Sequence, residues 1–154
     1  MSEPLSLLVV DDELHARASI RLKINPDRFP ASQIEEACDG FDAIEKIGRR
    51  RFDVVLTDIR MAGMDGLELI GHIKARQPDT RFLIVSGFND FDYARTGFRL
   101  GVKDYLLKPV REEQLNDQLD SICTEILEAQ KEKEVQATLT RTYTVHRYQE
   151  TQLA

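Results

Sequence analysis

The sequence predicts an α/β fold: a doubly wound, five-stranded parallel sheet with an extended C-terminal helix. Three observations predict it. Short, continuously apolar runs recur along the chain. Each is followed by a segment whose apolar residues have helical spacing. Four of the five runs end in acidic, hydroxyl or lysine side chains. Runs without polar alternation suit strands covered on both faces. Strand-helix alternation brings right-handed crossovers, so the strands run parallel.

The strand candidates are Leu5–Val10, Val54–Thr57 and Phe82–Val85, with weaker runs at Gln33–Ala37 and Lys103–Leu107. Between them lie the helices. Glu13–Lys23 places Leu14, Ala18 and Leu22 at i, i+4 and i+8. Gly40–Arg50 follows Asp39 and puts Ala43, Ile44 and Ile47 on one face. Leu67–Ala75 does the same with Leu67, Ile70 and Ile73, and Gln77-Pro78 ends it. Phe91–Leu100 is aromatic-rich and closes at Gly101. A last helix begins at Arg111, just past Lys108-Pro109. There is no internal repeat and no low-complexity segment.

Composition narrows the function classes. The 154 residues are 42% hydrophobic and 31% charged, which fits one domain with an appendage. A chain of this length buries roughly two-thirds of its unfolded surface. The net charge of −6 argues against a broad nucleic-acid-binding face. Cys38 and Cys123 form no CxxC pair and read as reduced thiols, so a cytoplasmic location is expected. The N-terminal apolar run is too short for a signal peptide and ends in Asp11-Asp12-Glu13. No run approaches the ~18 residues of a membrane helix.

The chemistry collects at the strand ends. The first strand ends in Asp11-Asp12-Glu13, the third in Asp58, the fourth in Ser86-Gly87 and the fifth in Lys108-Pro109. In a doubly wound sheet these ends share one edge, where ligands bind. Crowded carboxylates repel and raise one another's pKa. A hard divalent cation such as Mg²⁺ relieves that repulsion through oxygen ligands. Lysine, hydroxyl and metal together suit the oxygens of a transferring phosphoryl group, and an aspartate can accept that group. Singly, each residue has a plainer reading. Asp11 or Asp12 can cap a helix, Asp58 can form a turn, Ser86 can be a loop hydroxyl, and Lys108 can be a solvated lysine. The combination at four strand ends favours a site.

These residues resemble the receiver domains of two-component response regulators. The stretches that carry the resemblance are "LLVVDDE", "VVLTDIRMAGMDGLELI", "FLIVSGFNDFDYA" and "GVKDYLLKPV", which span about residues 5 to 122. The wording "SGFNDFDYARTGFRLGVKDYLLKPV" looks most like receivers attached to AraC-type DNA-binding domains. The resemblance implies the flavodoxin-like strand order 2-1-3-4-5. It implies Asp58 as phosphoacceptor, with Mg²⁺ held by Asp11, Asp12, Asp58 and the backbone carbonyl of Arg60. It implies Ser86 as the switch hydroxyl, Lys108 as the bridge to phosphoryl oxygen and Tyr105 as the switch aromatic. Pro109 would follow a cis peptide bond. The phosphoryl group would come from a sensor histidine kinase. Self-catalysed transfer and slow autodephosphorylation are implied, not turnover on a small substrate. The face built from the fourth helix, fifth strand and fifth helix would then rearrange.

Two positions qualify the resemblance. Ala62 stands where the family usually has proline before Gly63, which loosens the loop by about 1 kcal/mol or less. Arg60 and Phe88 occupy positions that tune hydrolysis in the family, and a bulky Phe88 predicts a phosphoryl lifetime of minutes or longer.

In the C-terminal quarter, Leu115, Leu119, Ile122, Ile126 and Ala129 follow an a/d pattern that Lys133 and Gln136 break. The plain reading packs Leu115, Leu119 and Ile122 on the sheet. The sharper one is a signalling helix that pairs in a parallel coiled coil. The expected organisation is a receiver over 1–122, a helical extension over 123–138 and a tail or truncated linker over 139–154. Homodimerisation through the helix, or through the face of the fourth helix, fifth strand and fifth helix, is expected. DNA would be bound only by an output domain outside this chain; the alternative is a stand-alone receiver acting by protein–protein interaction. An aspartyl phosphatase would need Asp-x-Asp after the first strand, and a flavin binder would need a Ser/Thr/Gly-rich loop there. Adjacent Asp11-Asp12 fits neither.

Overall fold

The computed structural model describes residues 5–87, 92, 95 and 99–153; of Ser32 and residues 145–153 only the backbone is described. Among the described residues, five strands form one sheet: β1 (Leu5–Val10), β2 (Ala31–Ala37), β3 (Val54–Asp58), β4 (Arg81–Ser86) and β5 (Asp104–Leu107). All pairings are parallel and the order is β2-β1-β3-β4-β5. The helices whose bounds fall among the described residues are α1 (Leu14–Lys23), α2 (Gly40–Arg49), α3 (Gly66–Arg76) and α4 (Glu112–Leu153). The predicted helix over residues 91–100 falls mostly outside the described residues. The chain divides into two compact units, Met1–Ile122 and Cys123–Ala154.

The apolar runs become strands because their side chains find cover on both faces. Every residue of β1 and β3 is buried. Phe52, Phe82, Leu56, Ile70 and Leu83 are among the largest side chains sealed in the core. Burying each such side chain contributes about 1.5–3 kcal/mol. Polar side chains fix the starts of α2 and α3. Asp39 accepts from Asp42 N at 2.7 Å and Asp65 from Glu68 N at 2.8 Å, so each caps its helix.

The buried face of α1 is not the predicted one. Leu14 is 63% and Leu22 86% exposed, and Ala18 is exposed too. Ile20 and Ile24 are buried instead, with Ala16 half-buried four residues before Ile20. Both sets have i, i+4, i+8 spacing, so periodicity could not choose between them. Arg17 decides the matter: it donates to Asp11 O at 2.6 Å and to Glu36 Oε1 at 3.0 Å, which turns its side of the helix inward.

The expected tail is also corrected. Helix α4 continues through Leu153, so residues 139–153 are helical rather than a loose tail. No proline or glycine interrupts residues 112–153, and helix propagation has nothing to stop it. Leu115, Leu119 and Ile122 are fully buried, as the plain reading of that pattern had it.

Candidate phosphoacceptor site

Register brings the strand ends together. Val10 pairs with Thr57, Asp58 with Val85 and Ser86 with Leu107. Asp11, Asp58, Ser86 and Lys108 therefore stand on or next to the carboxyl edge of β1, β3, β4 and β5.

Asp58 is the last residue of β3 and is 7% exposed. Its Oδ1 accepts from Ile59 N at 2.8 Å, and its Oδ2 accepts from Lys108 Nζ at 2.9 Å. Asp11 is buried; its Oδ1 accepts from Glu13 N at 2.9 Å and its Oδ2 from Lys108 Nζ at 2.8 Å. One ammonium thus bridges two buried carboxylates. Asp12 is exposed, and carboxylate oxygens of Asp11, Asp12 and Asp58 lie within 4.8 Å of one another.

Three carboxylates face one ammonium, so the cluster keeps net negative charge. Burial holds the Asp58 carboxyl above the usual range, although the hydrogen bond and charge of Lys108 oppose it. Burial and then the charge of Asp11 raise Asp12. At Lys108 burial favours the neutral amine, but the bonds to Asp11 and Asp58 outweigh it and the pKa rises. Oxygen-only donors with excess negative charge fit a hard divalent cation.

The remaining predicted residues take these places. Ser86 is fully buried at the end of β4. Tyr105 Oη donates to Gly87 O at 2.9 Å, so the ring is tied to the residue after Ser86. Arg60 is exposed, two residues past Asp58. The Lys108–Pro109 bond is cis, as the resemblance implies. Phe88 lies outside the described residues. Ala62 is exposed in the loop between β3 and α3.

Two contributors went unread in the sequence. Arg17 braces the main chain of Asp11 from α1, yet an arginine on a helix normally signals solvent. Gly66 lets α3 approach β3: its N donates to Ile59 O at 2.7 Å, and an added Cβ would lie 2.1 Å from Asp58 O. The two-glycine turn was visible, but not which backbone it approached.

A parallel sheet with an acid pair after β1, a buried aspartate ending β3 and a lysine after β5 defines a class of signalling domain. Residues 7–120 match the family model described as response regulator receiver domain. The chain belongs to this family and contains the receiver domain of a two-component response regulator. It is 40% identical over 120 residues to the uncharacterized transcriptional regulatory protein YesN of Bacillus subtilis, covering 78% of this chain and 33% of that protein. Over 126 residues it is 32% identical to the transcriptional regulatory protein HptR of Staphylococcus aureus, covering 82% and 49%. The chain thus spans half or less of these relatives' length.

Solved structures agree. The REC domain of AraT, a response regulator from Geobacillus stearothermophilus, superposes with a TM-score of 0.78 at 33% identity, covering 83% of this chain and 99% of that one. A two component transcriptional regulator AraC from Clostridium phytofermentans gives 0.75 at 33% identity, covering 83% and 98%. The second bears the AraC name to which the sequence resemblance points.

Proposed function

We propose that the chain is a phosphorylation-controlled switch that accepts a phosphoryl group on Asp58. The observation that carries the reading is Lys108 Nζ between the carboxylates of Asp58 and Asp11, at 2.9 and 2.8 Å. That ammonium stands where negative charge on a transferred group would need it. An Asp58 carboxylate oxygen forms the new O–P bond as the P–N bond of a kinase phosphohistidine breaks. The histidine keeps the bonding electron pair. The buried Ser86 hydroxyl and Tyr105, bound to Gly87 O, are the groups that respond to the new charge.

Asp11, Asp12, Asp58 and the Arg60 carbonyl are the residues that would hold Mg²⁺. Bound there, it would supply positive charge at the oxygens of the transferred group. Transfer and slow hydrolysis are self-catalysed, and no small-molecule substrate is turned over. The output is control of transcription through a DNA-binding domain outside this chain, in a cytoplasmic regulator. Longer relatives, of which the matched region is half or less and which are named transcriptional regulatory proteins, support it. A second copy of the chain is engaged through α4, whose Val135, Leu139 and Tyr143 are exposed at i, i+4 and i+8.

Incubation with acetyl phosphate and Mg²⁺, followed by intact-mass measurement, tests the core of this reading. A phosphoryl adduct absent in Asp58→Asn and present in Asp53→Asn is expected. Asp53 is the apt control, because its carboxylate accepts from Ser6 N and Oγ at the start of β1. No adduct on the wild-type protein would remove the proposal.

A further inference from the structure

Helix α2 grips the tip of the loop between β3 and α3. The neck of this loop closes where Gly66 N meets Ile59 O at 2.7 Å. Beyond the neck lie Arg60, Met61, Ala62, Gly63 and Met64. Gly63 has φ +82°, the left-handed region that glycine enters freely. The ring of Phe41 covers it: an added Cβ at Gly63 would lie 2.8 Å from Phe41 Cε2. The preceding residue of α2 holds the next loop residue. An added Cβ at Gly40 would lie 2.9 Å from both Cβ and Sδ of Met64. Consecutive residues of the helix therefore touch consecutive residues of the loop.

The platform behind this grip is fixed. Asp42 N donates to Asp39 Oδ1 at 2.7 Å, and Cys38 N donates to Asp42 Oδ2 at 3.0 Å. These reciprocal bonds lock the first turn of α2 in the manner of a capping box. Lys46 adds an ion pair to Asp42 at 3.6 Å.

Phe41 is nonetheless 61% exposed. A phenyl ring so open to water gains little from burial, so the hydrophobic core does not account for its place. Its neighbour across the contact does. Beside Gly63 stands Ala62, whose backbone is less restricted than a proline's would be. Proline restricts the chain from within, while a ring laid over Gly63 restricts it from outside.

We propose that Phe41 is a positioning residue for the metal-binding side of the Asp58 site, restraining from outside the loop that carries Arg60, as a proline at position 62 would restrain it from within. This rests on the function proposed above, because the Arg60 carbonyl matters only as a ligand. Gly63 is then required twice, for its positive φ and for the room it leaves beneath the ring.

The test compares wild type, Phe41→Ala, Ala62→Pro and the double variant, all in the full chain. Calorimetric titration of the unphosphorylated protein with Mg²⁺ gives the affinity, and thermal unfolding checks the fold. Phe41→Ala should weaken Mg²⁺ binding by about fivefold. Ala62→Pro in the same chain should restore it. Phe41→Leu, which reduces the contact without emptying it, should act in the same direction with smaller effect. It serves if the alanine variant folds poorly. A wild type that takes up Mg²⁺ and phosphoryl while Phe41→Ala matches its affinity overturns this inference alone. Weakening that proline fails to restore overturns it as well. A wild type that takes up neither Mg²⁺ nor phosphoryl overturns the underlying reading, and this one with it.

Discussion

Lys108 Nζ lies 2.9 Å from Asp58 Oδ2, and burial still keeps the Asp58 carboxyl above the ordinary range. One lysine shared with Asp11 does not offset the desolvation of a carboxylate that is almost sealed from water. The consequence has a definite sign. A carboxyl whose folded pKa exceeds its unfolded value stabilises the protein below the unfolded pKa, about 3.9. That contribution is lost as pH rises through the folded pKa. Without metal, Asp58→Asn should therefore raise the melting temperature at pH 7. The gain should narrow as pH falls toward about 4. Calorimetric scans in EDTA across that range check it; equal melting temperatures at pH 7 would contradict it.

Divalent metal should act in the opposite direction on the wild type. The clustered carboxylates of Asp11, Asp12 and Asp58 should bind Mg²⁺ in the folded state only. At a hundred times the dissociation constant this linkage is worth about 2.7 kcal/mol. Asp12→Asn should remove most of that gain. Acidification should do the same, since protons compete for Asp12 and Asp58, whose pKa values are raised. Denaturant melts with and without Mg²⁺ measure both effects.

Gly66 has no room for a side chain. A Cβ there would sit 2.1 Å from the Asp58 carbonyl oxygen, which is backbone and cannot swing aside. Gly66→Ala should cost about 3 kcal/mol or more and move the loop that follows Asp58. Chemical denaturation reads the first effect, and phosphorylation by acetyl phosphate reads the second.

Asn116 is a buried polar residue with all its visible bonds made. Its Oδ1 accepts from Asn25 N at 2.8 Å, and its Nδ2 donates to Lys23 O and Glu112 O, both at 2.8 Å. Asn116→Leu would take their side-chain partner from Asn25 N and Lys23 O, so a loss of roughly 2–3 kcal/mol is expected. Urea unfolding is the direct measurement, and a loss below about 0.5 kcal/mol would refute the account.

Exposed Val135, Leu139 and Tyr143 recur at one helical face of α4. A long helix with an apolar face is stabilised chiefly by what covers that face. Equilibrium sedimentation should show a dimer. Leu139→Glu should shift it toward monomer by roughly tenfold or more in dissociation constant. A wild type that remains monomeric with and without an acyl-phosphate mimic would exclude this pairing.

Much of the site was legible because parallel sheets impose an ordering rule. Parallel strands place their last residues on one edge, so Asp11, Asp58, Ser86 and Lys108 belong to that edge on the sequence alone, and the strand order makes them neighbours. The α1 face was not legible. Leu14, Ala18 and Leu22 keep the same spacing as Ala16, Ile20 and Ile24, and only contacts across the fold distinguish them. The end of α4 was missed for a different reason. A polar, aperiodic segment after Thr138 resembles a linker, but nothing in it breaks a helix.

The sequence by itself determined the parallel α/β architecture and the identities of the acid, hydroxyl and lysine groups at its edge. It did so because burial pattern and strand polarity are written locally, in runs of a few residues. Tertiary structure alone decided that Lys108 bridges Asp11 and Asp58, that Arg17 faces inward and that Phe41 covers Gly63. Each of those contacts joins residues from different elements. Their spacing along the chain carries no trace of how the register, the crossovers and the packing of one helix would bring them within a few ångströms.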